Sequence, residues 1–179
     1  MDIIFLADKV IFLRPLSPKD DIRSYVRWLH DQEVTLYMSS GKFPTNDKKL
    51  KEYISNYSNN MNGMLLGIFI KKSKRHIGTI TMHHIDWINR YAKMGVMIGD
   101  KSSWGKGYAS RAIRLLVNHA FNKMNLNTLY AGVAADNISS IRVFEKVGFK
   151  KEGALENHFY LNDKYVDCYL MGLTKRRFN

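Results

Sequence analysis

Read by the spacing of its apolar positions, the chain divides into short strands and amphipathic helices. Val10-Ile11-Phe12-Leu13 is an unbroken apolar run of the kind that fills a buried strand. Ser17-Pro18-Lys19-Asp20 has the chemistry of a helix start, and Ile22, Val26 and Leu29 follow at helical spacing, which predicts a helix over 18–30. Thr45 stands where it would cap a second helix, whose buried stripe is Leu50, Tyr53, Ile54 and Tyr57. Strands are predicted over 64–70, 77–84 and 92–99, the first two separated by the charged turn Lys71 to Arg75. Ala109, Ile113, Leu116, Val117, Ala120, Phe121 and Met124 then mark a long helix, and 128–134 reads as a strand. Asn137 opens a short helix that runs to about Val147 and is stopped by Gly148. The strands beginning at Phe149 and covering 165–173 meet at the Asn162-Asp163 turn as a hairpin. The order βααβββαβαββ, with adjacent early strands and one strand–helix–strand passage, predicts an α/β domain with one mixed sheet. No repeat, low-complexity tract or linker interrupts it, and residues 1–179 are read as a single domain.

Composition adds limits. A hydrophobic content of 45% over 179 residues supports a real core. Cys168 is the single cysteine, so neither an internal disulfide nor a cysteine-based metal site is expected, and no metal enters the reading. Met1 to Val10 mixes Asp2, Asp8 and Lys9 with short apolar runs, unlike a secretory leader, and no window reaches the roughly 18 apolar residues of a membrane span. A soluble cytoplasmic protein is the expectation. The net charge of +12 favours phosphorylated ligands, but the basic residues are scattered, without a cationic helix face or a nucleic-acid motif. Nucleic acid is therefore not the expected partner.

The chemistry concentrates after the 92–99 strand. Trp104-Gly105-Lys106-Gly107 is a tight turn leading into the long helix. Two glycines allow close backbone approach, and the first helical N–H groups lack internal acceptors and sit at the positive end of the dipole. That combination suits a pyrophosphate, with Lys106 as an added charge; a ligand-free β–α turn would look the same. The G-x-x-x-x-G-K-[ST] pattern of a P-loop is absent. A dinucleotide fingerprint is incomplete, because Ser110 stands where the third small residue belongs and no acid follows at the usual distance.

Gly105-Lys106-Gly107-Tyr108-Ala109, followed by Asn137-Ile138-Ser139-Ser140 and Phe144-Glu145-Lys146-Val147-Gly148-Phe149, resembles the paired signature of the GCN5-related N-acetyltransferases (GNAT superfamily). Arg14-Pro15-Leu16, Trp28-Leu29-His30-Asp31, Ile77-Gly78-Thr79-Ile80 and Glu152-Gly153 point to the branch that resembles ribosomal-protein alanine N-acetyltransferases; amino-sugar and spermidine acetyltransferases look similar at this level. The resemblance covers roughly 10–173. It implies a GNAT-like fold and acetyl-CoA as donor, lying in a V between the 92–99 and 128–134 strands. Pantetheine would add to the first strand through main-chain groups of Val96 and Ile98, where an N–H would polarise the acetyl carbonyl. The pyrophosphate would sit on Gly105, Lys106, Gly107, Tyr108 and Ala109. Asn137 would hold pantetheine, and Lys146 would meet the 3′-phosphate region. Two departures stand out: Ser102 replaces the family's usual Gln or Arg, with Lys106 or Arg111 to compensate, and Phe144 stands where many members carry a tyrosine acid.

By family position, Ser140 faces the sulfur and is the first choice to protonate the leaving thiolate; a hydroxyl satisfying the helix backbone is the plainer reading. For the base the order is His84, Glu33, then His158. His83 and His84 are adjacent on a strand and should point to opposite faces. Related enzymes place a catalytic glutamate on the penultimate strand, but the matching position here is Phe159. Trp87, in the polar loop 85–91, reads as a lid or an acceptor contact. Trp28 to Val34 and Gly41-Lys42-Phe43-Pro44 resemble the acceptor-side segment of surface-polysaccharide enzymes. The acceptor is thus read as a nucleotide-linked amino sugar or a protein N-terminal amine, with a polyamine disfavoured by the +12 charge. A homodimer is left open. A non-catalytic module binding CoA or nucleic acid on the same fold, and a dinucleotide oxidoreductase, are the alternatives.

Overall fold

The apolar runs pair into one eight-stranded sheet. Its strands are β1 (Leu6–Ala7), β2 (Ile11–Pro15), β3 (Gly63–Ile70), β4 (His76–Asp86), β5 (Tyr91–Ile98), β6 (Thr128–Ala134), β7 (Lys150–Leu161) and β8 (Lys164–Thr174), in the order β1-β2-β3-β4-β5-β6-β8-β7. Every pairing is antiparallel except β5–β6, whose strands are parallel and joined through α4 (Tyr108–Asn122). The computed structural model describes residues 3–58 and 60–178. Among these, no helix is long and apolar enough to cross a membrane.

Strand alternation sends side chains to two cores. On one face Ile11, Leu13, Ile68 and Met82 pack with Ile113, Leu116, Val117 and Phe121 of α4. On the other, Phe12, Leu65, Phe69 and Met97 pack with Tyr25 and Leu29 of α1 (Arg23–His30) and with Leu50 and Ile54 of α3 (Asp47–Ser58). Each fully buried side chain of this size contributes about 1.5–3 kcal/mol.

The predicted order holds within a longer one: α5 (Ile138–Glu145) is in its expected place, and β1, α2 (Gln32–Thr35), two 3-10 turns (Ser39–Lys42 and Lys101–Ser103) and a last turn α6 (Lys175–Phe178) are added to it. Two helix starts differ from expectation. Helix α1 begins at Arg23, five residues beyond Pro18. Asp20 does not serve a helix; it accepts from both terminal nitrogens of Arg14 (2.8 and 3.0 Å) and from the Ser17 N–H (2.8 Å), closing a turn instead. Helix α3 is capped not by Thr45 but by Asn46, whose Oδ1 accepts from the Lys49 N–H at 3.0 Å. The Asn162-Asp163 hairpin is as predicted, both residues having positive φ (48° and 60°), as a type I′ turn requires.

Two predictions concern the sheet between α1 and β5. His76 is half-buried against Phe69 (ring centroids 4.7 Å) and Trp28 (5.0 Å), with a ring nitrogen 2.9 Å from the Gly78 carbonyl. Burial pushes its pKa from 6.5 down to about 4, against the raising effect of the Gly78 hydrogen bond. The unfolded chain therefore binds the extra proton first as pH falls, so stability is full above about 6.5 and is lost toward about 4, by about 3 kcal/mol. Urea midpoints at pH 7.5 and 4.5 should differ accordingly, and the difference should shrink in His76→Phe. Gly78 is the second case. A Cβ there would overlap the Met97 carbonyl and lie 2.9 Å from the Ile98 Cα, both backbone. Gly78→Ala should cost about 3 kcal/mol in the same assay, because a neighbouring strand cannot move aside as a side chain can.

Candidate active site

The gap that organises the site follows from strand pairing. β5 and β6 are paired only at Tyr91↔Thr128, Ala92↔Leu129 and Lys93↔Tyr130. Beyond that point β5 stays with β4 and β6 stays with β8, so the two inner edges face each other without a ladder. The Gly99 N–H donates to the Ile77 carbonyl at 3.0 Å, which makes Gly78↔Ile98 a non-hydrogen-bonded pair. By alternation, the main-chain groups of Ile98, Val96 and Met94 turn away from β4 into the gap. The Ile98 carbonyl already accepts from Trp104 Nε1 at 2.7 Å, leaving the N–H groups of Val96 and Ile98 as donors along this edge.

The phosphate-loop candidate lies where β5 leads into α4. Gly105 and Gly107 have φ of 71° and 77°, the left-handed region that only glycine enters without strain. Gly107 is the α4 N-cap and has no side chain to close it, and the first helical bond is Arg111 N–H to the Gly107 carbonyl. The N–H groups of Tyr108, Ala109 and Ser110 thus have no acceptor in the helix. Beside them Lys106, Arg111, Arg114 and Lys146 surround a hollow of about 360 Å³. Asp8 is the one acid among its described lining residues; it holds Arg111 at 2.9 Å. Arg114 was not singled out from the sequence, although it lies three residues after Arg111 and so on the same helix face. Ser102 is turned from the loop, its hydroxyl donating to Asp100 at 2.7 Å.

Across the gap, Asn137 caps α5: its Oδ1 accepts from the Ser140 N–H (3.1 Å) and the Ser139 hydroxyl (2.9 Å). The capping is done by Asn137, so the half-buried Ser140 hydroxyl is not needed for it. Phe144 is 2% exposed and packs edge-on against Phe149 at 5.0 Å, a core residue with no proton to give.

A strap crosses the gap on the face of α1. At its near end Lys101 binds Asp31 (2.8 Å) and Glu33 (3.0 Å); at its far end the Tyr37 hydroxyl donates to the Asp136 carbonyl (3.2 Å) and Lys42 to the Tyr160 carbonyl (2.8 Å). Trp28 lies flat on Gly99, where a Cβ would overlap its ring. Glu33, a candidate base, is therefore an exposed partner of Lys101. His158 is exposed on a bulged stretch of β7. The two adjacent histidines correct the expectation of opposite faces. A bulge between His83 and Asp86, with His84 at φ 52°, breaks the alternation, and both rings line one hollow with centroids 5.2 Å apart. His83, named beside His84 but not ranked as a base, reaches over β5: a Cβ on Gly95 would lie 3.9 Å from its Cε1. Burial, with His84 and Lys93 nearby, lowers its pKa, so the imidazole is a free base at neutral pH.

The split in the sheet thus stands beside an amide-rich helix start. Residues 11–150 match the family model described as an acetyltransferase (GNAT) domain. The uncharacterized N-acetyltransferase p20 of Bacillus licheniformis is 30% identical over 161 residues, 89% of this chain and 90% of its own. YdaF of Bacillus subtilis (strain 168), which carries the provisional name ribosomal N-acetyltransferase, is 30% identical over 172 residues, 93% of this chain and 92% of its own. The crystal structure of spermidine N-acetyltransferase from Vibrio cholerae with CoA and spermine has the same fold: TM-score 0.85, 23% identity, 96% of this chain and 99% of that one. The chain belongs to the GNAT acetyltransferases, the acetyl-CoA-dependent N-acetyltransferases, and its fold and donor are those expected from the sequence.

Proposed function

We propose that the protein transfers acetyl to a primary amine by direct attack within a ternary complex, and that the acceptor is an amino sugar, nucleotide-linked. The observation that carries the transfer chemistry is the unpaired β5 edge, with its N–H groups of Val96 and Ile98, ending at the open amides of α4. One such N–H polarises the thioester carbonyl. Lys106, Arg111, Arg114 and Lys146 hold the phosphates, and the Asn137 amide holds pantetheine. An alkylammonium has a pKa of about 10.4, so the nitrogen must lose a proton to attack, and His83 accepts it. As the C–N bond forms and the C–S bond breaks, Ser140 gives its proton to sulfur and recovers one through solvent from the nitrogen, which sheds its second proton as the amide forms, while His83 releases the first to solvent.

The carboxylates flanking the gap argue against a polycation. Asp31 and Glu33 share Lys101, and Asp136 holds Lys164 at 2.8 Å. A protein N-terminal amine is the second reading, favoured by the likeness to YdaF. Free-thiol release from acetyl-CoA, measured against nucleotide amino sugars, N-terminal peptides, spermidine and aminoglycosides, tests both. The greatest kcat/KM is expected with a nucleotide amino sugar; no thiol released with any amine would refute the transfer itself.

A further inference from the structure

A second hollow, of about 670 Å³, lies between the end of α3 and the β4–β5 turn. We infer that it seats the sugar ring of the acceptor: a neutral, hydroxyl-rich hexosamine ring laid on Trp87 with its amine toward His83. This rests on the transferase reading above and names the body of its acceptor.

The lining is rich in hydrogen-bonding groups and poor in charge. Asn56, Asn62, Tyr57, His83 and His84 contribute amides, a phenol and imidazoles, and no Lys or Arg is among its described lining residues. Its carboxylate, Asp86, already accepts from the Ile88 N–H (2.9 Å), the Asn89 N–H (2.7 Å) and the Asn89 side chain (2.9 Å). Asp86 keeps its charge, but most of its lone pairs are engaged, so a cation would gain attraction without good hydrogen-bonding geometry, whereas hydroxyls would find donors and acceptors of both kinds. Trp87 supplies the complementary apolar surface. It is 45% exposed, and its Nε1 donates to Asn62 Oδ1 at 3.2 Å, which fixes the ring on the wall. A sugar ring has one C–H face and an edge of hydroxyls, and an aromatic plate ringed by amides matches both.

Position ties the hollow to the reaction. His83 is shared: it lines the hollow and reaches toward Gly95, just beyond the last β5–β6 pair. The bulge that turns His84 into the same hollow puts a non-glycine residue at φ 52°, a strain of about 1–3 kcal/mol of the sort that persists where a side chain is re-aimed for function.

The test separates sugar binding from turnover. Saturation-transfer NMR with glucosamine and with a uridine-diphosphate-linked amino sugar should show transfer from the wild-type protein to the ring protons. Trp87→Ala and Asn56→Leu, both at exposed positions, should raise KM for the amino sugar by about tenfold or more, the loss of one aromatic contact, and leave coenzyme A affinity within about twofold. Ring transfer from both the free and the nucleotide-linked sugar, with the lower KM for the latter, upholds the seat, because the ring is read here and the nucleotide elsewhere. No transfer to the ring, or an unchanged KM in Trp87→Ala, overturns it even if another amine is acetylated. A ring signal present with wild type and absent with Trp87→Ala, where wild type releases no thiol, upholds the sugar seat and removes the transferase reading instead.

Discussion

Gly107→Val is expected to lower coenzyme A affinity by about a hundredfold or more, near 3 kcal/mol, while the protein stays folded. At φ 77° a β-branched side chain is strongly disfavoured, and relaxing it rotates the peptide that sets the first amides of α4. Those amides are the groups offered to the diphosphate, so the ligand bears most of the change. The helix itself is held elsewhere, by Ile113, Leu116, Val117, Ala120 and Phe121, all fully buried. Far-UV circular dichroism should therefore be unchanged while calorimetric titration with coenzyme A loses its signal. Gly105→Ala is the informative companion. An added Cβ there meets no protein atom within 4 Å, so beyond about 1 kcal/mol of backbone strain, any further loss of affinity reports the ligand itself occupying that space. Wild-type affinity in Gly107→Val would remove the loop from the binding site.

Much of the architecture was legible because local pattern and tertiary role agree. The stripe from Ile113 to Phe121 faces the sheet as its spacing requires, and the strand over 128–134 matches its predicted limits. Asn137 caps its helix with its own side chain, a bond within three residues. The errors arose where a distant partner outbid a local signal. Ser17, Pro18 and Asp20 look like a helix start, yet Arg14, from β2, takes the Asp20 carboxylate in a two-bond pair, and a charge-assisted bidentate contact outweighs a helix dipole. The histidine pair failed for a related reason: strand alternation holds only while register holds, and a bulge leaves no mark in one sequence.

The site divides along the same line. Its phosphate loop is contiguous, so two glycines and a helix stripe announce it. The strap across the gap is tied by contacts between separate segments: Lys101 meets Asp31 and Glu33, and Tyr37 meets the Asp136 carbonyl, 99 positions away. None of these contacts has a periodic or spacing signature. Arg114 belongs between the two cases, since it follows from Arg111, three positions on along the same helix face, once the helix is drawn.

Ser140→Ala should reduce kcat by about a hundredfold with coenzyme A affinity changed by less than about twofold. The physical case begins with the cap. Asn137 Oδ1 takes the Ser140 N–H and the Ser139 hydroxyl, so the Ser140 side chain is not needed to start α5, and its removal should cost little stability. Phe144, the position where the family's tyrosine would supply a proton, is buried against Phe149 and has none to supply. A thiolate leaving without a proton must be stabilised by solvent alone, and that penalty falls on the transition state rather than on donor binding. The effect should also depend on the leaving group. An acetyl thioester of a more acidic thiol needs less proton transfer, so the gap between wild type and Ser140→Ala should narrow as thiol pKa falls. A gap that stays constant across thiols would mean that Ser140 positions the donor instead of protonating it, and an unchanged kcat would exclude it from the reaction altogether.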